Sequence, residues 1–188
     1  MNIFVLNTDP RLAAKDHCDK HVCKMILESG QMLCTAHWIG WLGTFGKSLL
    51  DFDTHKEAKL WLRENVPEKH RPPWLMTHIN HPCSIWTRES LSNYRWHADL
   101  GINLCAEYSR RYHKIHKGFR VHMWLHQNMP PSIEDIGQTD FKVCMDEAYK
   151  VSTDPVQCYR EYYRRDKVRF AKWKNGSTPE WFKISNTY

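Results

Sequence analysis

At three points along this chain a proline follows a residue suited to the entry of a helix: Asp9-Pro10, His81-Pro82 and Asp154-Pro155. An Asp side chain accepts from the unpaired N–H groups of a first turn, and proline at the first helical position loses no bond by lacking an N–H. Behind each entry the apolar residues recur every three or four positions, the period of a helix with one buried face. Leu12, Cys18, Val22, Met25, Ile26, Ser29, Met32, Leu33 and Ala36 predict a first long helix over 11–37. Ile85, Trp86, Leu91, Tyr94, Leu100, Leu104, Cys105, Tyr108 and Tyr112 predict a second over 82–116. The third runs from Pro155 to about 173.

Between these helices the pattern is weaker. Residues 40–52 are rich in glycine and aromatics and read as a loop. Asp53 or Thr54 caps a shorter helix over THKEAKLWLREN, ended by Pro67. Residues 66–80 read as irregular and 121–153 as short pieces. Any strand is short and lies near the N-terminus or at 121–125. The aromatic tail, residues 179–188, docks Trp181 and Phe182 on the body. The expectation is a mostly α chain, a single compact domain over residues 1–188 with three long helices and little or no β-structure. Length agrees, because 188 residues suit one domain. With 41% hydrophobic residues the chain can form a packed core and is not a disordered polymer.

Charge narrows the partners. Residues 108–122 carry Arg110, Arg111, Lys114, Lys117 and Arg120 with no acid, a net of +5. Residues 155–174 carry seven Lys/Arg against Glu161 and Asp166, again +5. The whole chain is only +6, so the remainder is net acidic. Two cationic segments on an acidic body predict a polyanion-binding face, with DNA the expected partner. The plainer alternative is two solvated helix faces. Tyr159, Tyr162 and Tyr163, interleaved with Arg160, Arg164 and Arg165, could stack on unpaired bases while the arginines hold phosphate, although half of these tyrosines should be core. The N-terminus of the second helix is an anion site that His81, Ser84 and Arg88 could line.

The densest polar cluster is Asp16, His17, Asp19, Lys20, His21, Lys24 and Glu28. Lys20, Lys24 and Glu28 share one helical face. A lysine crowded by another cation can serve as nucleophile or base, with Glu28 to hold a proton. The alternative is an ion-paired surface helix. His17 and His21 have the i,i+4 spacing of a zinc pair, but no HExxH-like pattern accompanies them, and neither a metal nor a cofactor is assigned. Seven cysteines without a CxxC pair argue against a zinc ribbon or a disulfide framework, and they read as reduced core residues. No apolar run is long enough to span a bilayer and no export signal is evident. The expected location is the cytoplasm, with no membrane partner. Oligomeric state is left open.

Four stretches, MNIFVLNTDPRLAAKDHCDKHVCKMILESGQML, NHPCSIWTRESLSNYRW, EYSRRYHKIHK and DPVQCYREYYRRDKVRFAKW, resemble a family of uncharacterised tailed-phage proteins, which implies a bacterial host under infection. The order of elements also resembles the pyrimidine-dimer DNA glycosylases of the phage endonuclease V type. The quoted parallels are Met1–Leu6, His81-Pro82, Glu107–Tyr112 and Pro179–Phe182. That resemblance implies an all-α, endonuclease V-like fold and base-excision chemistry on an extruded nucleotide. The N-terminal α-amine, here that of Met1, would attack the sugar C1′ with help from a glutamate on the first helix, for which Glu28 is the candidate. Lys20, His21 and Lys24 complete the expected catalytic group. DNA contacts would come from His81, Arg88, Arg110, Arg111, Lys114, Lys117, Arg160, Arg164 and Arg165. Two alternatives stand beside this one: a transferase attaching an amino acid or amine to an activated thymine in phage DNA, and a DNA-binding protein without catalysis.

Overall fold

The computed structural model describes residues 2–176 and 178–183. It is mostly helical, and no strand occurs among the described residues. The helices are α1 (Pro10–Asp16), α2 (Asp19–Thr44), α3 (His55–Asn65), α4 (Pro82–Glu89), α5 (Leu91–Tyr112), α6 (Phe119–Gln127), α7 (Pro155–Tyr162) and α8 (Glu180–Lys183). Asp9 caps α1 by accepting from Arg11 and Leu12, Thr54 caps α3, and Asp154 caps α7. Pro10, Pro82 and Pro155 each stand in a first turn, as the sequence predicts.

Two of the three predicted long helices are broken. The first divides at His17 and Cys18, both extended. The His17 ring bonds the Ala13 carbonyl at 2.6 Å, and Asp19 N–H donates to the Lys172 carbonyl at 2.8 Å. The second divides at Ser90, whose hydroxyl accepts from Ser92 while Leu91 N–H donates to the Glu134 carbonyl. In both cases a remote chain segment supplies partners for the helix end, so an unbroken apolar stripe hides the break. The third helix is shorter than predicted. It passes into one π-helical turn at Tyr163–Lys167, and residues 171–173 are not helical. There the chain turns aside to close the α1–α2 break, with Trp173 Nε1 donating to the Asp16 carbonyl at 3.0 Å.

The predicted loop at 40–52 also differs, because α2 continues to Thr44. Gly40 permits a close approach rather than a turn: a Cβ there would lie 2.1 Å from the Pro131 carbonyl oxygen. Residues 121–125 belong to α6.

Helix α2, about 39 Å long at ~1.5 Å per residue, threads the molecule. Its first half packs with α5, α7 and the extended segment Ile3–Leu6 around Trp86 and Trp96. Its middle packs with Tyr94 and Leu125, and its end with α3 through Trp38, Leu42 and Leu62. Phe182 of the tail is buried in the first of these cores, and Trp181 packs against it. The tail beyond residue 183 lies outside the described residues. No helix among the described residues is long and apolar enough to cross a membrane.

Candidate active site and cationic face

The buried segment Ile3–Leu6 brings Asn2 against the middle of α2. Asn2 N–H donates to Glu28 Oε2 at 2.9 Å, and Lys24 Nζ lies 3.2 Å from the other oxygen, Oε1. Glu28 is buried whereas Lys24 is exposed, so the carboxylate is held between a backbone donor and a cation at the surface. Met1 lies outside the described residues. Covalent geometry alone puts its Cα about 3.8 Å from that of Asn2.

The Asn2 side chain knits three further segments to this point. Its amide donates to the Cys144 carbonyl at 2.7 Å, and its oxygen accepts from the Tyr159 hydroxyl at 2.8 Å. The Cys83 thiol donates to the same oxygen at 3.5 Å and lies 3.4 Å from Cys144 Sγ. Cys83 is buried and Cys144 half-buried. The hydrogen bond from Cys83 pulls the Cys144 thiol down to about 7, and holding that proton together with burial pushes Cys83 upward. His81 Nδ1 accepts from Cys83 N–H at 3.2 Å, capping α4. The His81, Cys83 and Cys144 ligand atoms all fall within 4.8 Å of one another.

The other members of the polar cluster on α2 point elsewhere. His21 is buried against Phe4, shares a 2.5 Å hydrogen bond with the Tyr163 hydroxyl, and is pushed down to about 3 by burial. It is therefore a neutral core residue at physiological pH, not part of the group beside Glu28. Neither His17 nor His21 belongs to a group of three metal-ligating side chains among the described residues; His17 Nδ1 bonds the Ala13 carbonyl and His21 Nδ1 the Tyr163 hydroxyl. Lys20 is exposed over the Phe170 ring, 4.9 Å from its centroid.

The expected DNA-contacting residues divide in the same way. Arg111 is fully buried and is no phosphate contact: Nε bonds Glu107 at 2.6 Å, Nη1 bonds Asp19 at 2.9 Å, and Nη2 bonds the Lys15 carbonyl at 3.0 Å. Arg88 is half-buried and bonds Ser84 Oγ, itself fully buried, while the His81 ring caps the helix it was expected to share with a phosphate. Arg160 and Arg164 are half-buried around Trp181, donating to the Leu6 and Trp181 carbonyls. Tyr159 and Tyr163 are fully buried, so neither stacks on a base. Lys114, Lys117, Arg110 and Arg165 are exposed.

The two cationic segments meet. Asp19 accepts from Arg111 and from Lys174 N–H, Asn175 donates to the Arg111 carbonyl, and Arg110 bonds the Asn175 carbonyl. Lys174 Nζ lies over Tyr112, 5.8 Å from the ring centroid. The end of α5 and residues 172–175 thus flank the start of α2, where Lys20 and Lys24 are exposed.

The sequence does not mark Asn2, Cys83 or Cys144, and it points Tyr159 toward bases rather than toward Asn2 and Cys144. The one local signal was His81-Pro82-Cys83. Cys144 stands far off in an irregular stretch, where no spacing rule marks it. No family model, curated protein or solved structure matches this chain.

Proposed function

We propose that this protein binds DNA through the face around the start of α2 and acts on an extruded nucleotide as a glycosylase with AP-lyase activity. The observation that carries the reading is the 2.9 Å bond from Asn2 N–H to Glu28. It sets a buried carboxylate one residue from the α-amine of Met1. An α-amine has a pKa of ~7.7–8.0, so a useful fraction is neutral near pH 7. The neutral amine adds to C1′ as the bond from C1′ to the base breaks; Glu28 takes the proton released by the amine and returns it to the departing base. The sugar ring opens to a protonated imine. Removal of the C2′ proton by a base then forms the C2′–C3′ double bond as the C3′–O bond breaks and the 3′ phosphate leaves. Met1 ranks above Lys20, because an α-amine is intrinsically less basic than a lysine amine and Lys20 is exposed. Lys20, Lys24, Lys114, Lys117 and Lys174 are exposed and would meet phosphate.

Borohydride trapping on abasic DNA tests this. The full chain, with its free Met1 amine verified by intact mass, should form a reduced covalent adduct. Acetylating that amine should abolish the adduct, Glu28→Gln should lower its yield at least tenfold, and Lys20→Ala should leave it. An acetylated protein that traps normally removes Met1 from the role. A native protein that never traps, yet binds DNA, sinks the lyase reading and leaves the transferase or the non-catalytic binder.

A further inference from the structure

We infer that His81, Cys83 and Cys144 form a binding site for a thiophilic divalent cation, zinc by the chemistry of the donors. Two sulfurs and one imidazole nitrogen suit zinc, which binds Cys and His in tetrahedral sites. With Zn–S near 2.3 Å, two thiolates of a tetrahedral ion stand about 3.8 Å apart. Here the sulfurs are 3.4 Å apart, and all three ligand atoms lie within 4.8 Å of one another. A small spreading of the thiols admits the ion. The two thiol protons leave on binding, and the two thiolates offset its charge.

The surroundings hold the ligands in place. Cys144 is pinned on both sides of its backbone: its carbonyl accepts from Asn2 Nδ2 at 2.7 Å, and its N–H donates to the Tyr159 hydroxyl at 3.3 Å. Cys83 and His81 both stand at the entry of α4; the imidazole has a single lone pair, so the ring releases Cys83 N–H when it ligates the ion. Asn2 and Tyr159 are both buried, so the frame around the ligands is part of the core. Outer partners of this kind fix ligand orientation in metal sites. Three protein ligands leave a fourth tetrahedral position for water or a substrate atom, the pattern of catalytic rather than purely structural zinc. Asn2 links the ligands to the candidate catalytic carboxylate, with its backbone N–H on Glu28 and its side chain on Cys83 and Cys144.

The test needs no DNA, so its outcome is independent of borohydride trapping. The reduced full chain is equilibrated with Zn(II) against a chelator of micromolar affinity, and bound metal is measured by elemental analysis. One zinc per chain is expected. Co(II) in its place should give the intense near-ultraviolet band of thiolate-to-cobalt charge transfer. Cys144→Ser, at a half-buried position, should lower zinc affinity at least a hundredfold and remove much of that band. Cys83→Ser should do the same, and far-ultraviolet circular dichroism reports whether that variant folds. No zinc retained by the reduced wild type overturns the proposal. So does zinc held equally by Cys144→Ser, or a pair that binds no metal and closes to a disulfide once the reductant is withdrawn.

Discussion

Arg111 shows how a residue's type and its environment can point in opposite directions. In the sequence it is one of a run of cations, and an arginine in such a run is expected to meet phosphate. In the fold its guanidinium is fully buried and serves Glu107 on its own helix, Asp19 at the start of α2, and the Lys15 carbonyl at the end of α1. The planar five-donor fork can satisfy three acceptors at once, which an ammonium cannot do with the same geometry. Removing it leaves the buried Glu107 carboxylate with only Arg110 as an ion-pair partner among the described residues. Arg111→Met should therefore destabilise the protein by about 3–5 kcal/mol, as breaking a buried ion pair does, and Arg111→Lys should recover only part of that. Urea unfolding measures both, and a loss under 1 kcal/mol for Arg111→Met would contradict the structural role. Lys114 and Lys117 are the contrasting pair, exposed on the turn after α5. Replacing both with alanine should change stability by less than about 0.5 kcal/mol. It should also flatten the dependence of log affinity for DNA on log salt by roughly 0.9 for each lysine that meets a phosphate. An unchanged salt slope would remove them from the DNA face.

At the scale of elements, the helices touch where small residues let them. Gly101 on α5 faces His122 on α6, and a Cβ at Gly101 would stand 2.3 Å from His122 Nδ1. The imidazole cannot yield easily, because it is fully buried and its Nε2 donates to the Ile26 carbonyl on α2 at 2.7 Å. Gly101→Ala should cost about 1–3 kcal/mol through overpacking, against the few tenths gained by alanine's helix propensity. A variant as stable as wild type would show that α6 can shift. Such contacts mark the boundary of what the sequence discloses. The entries at Asp9-Pro10, His81-Pro82 and Asp154-Pro155 were legible because capping is chemistry among near neighbours. So was the buried face of α2, because its period is local. The breaks at His17-Cys18 and Ser90 were not, since Lys172 and Glu134 supply the bonds that stabilise them. Gly40 reads as a turn until Pro131 is seen packed on it. The candidate site divides along the same line. Glu28 and Lys24 were found from their shared helical face. Cys83 and Cys144 are joined by a tertiary contact between α4 and an irregular segment, and their spacing in the chain carries no sign of it.

Across the whole molecule the core is rich in histidine, and this sets its response to acid. Burial pushes His17 and His122 down to about 4, and His21, His37 and His97 down to about 3, from an ordinary 6.5. The bonding agrees with neutral rings. Thr87 spends its hydroxyl proton on the Cys83 carbonyl, so His97 Nδ1 must donate to Thr87, and the His97 Nε2 lone pair is buried. Well above pH 6.5 these rings are neutral in both the folded and the unfolded chain, and they add no pH dependence. As pH falls below 6.5 the unfolded chain takes up protons that the folded core refuses, so stability is lost on acidification. The loss continues until the pH reaches the folded values of 3 to 4. At pH 5 each ring contributes about 2 kcal/mol to that loss, and five together on the order of 10 kcal/mol, comparable with the ~5–15 kcal/mol stability of a typical domain. The urea midpoint should hold between pH 8 and 7, fall steeply from pH 6.5, and vanish near pH 5. Proton uptake on unfolding reads the same effect as a count. At pH 5.5 an unfolded histidine is about nine-tenths protonated, so these five rings should add between four and five protons on unfolding. An uptake below two would mean that water or local opening lets the core histidines protonate while the protein remains folded.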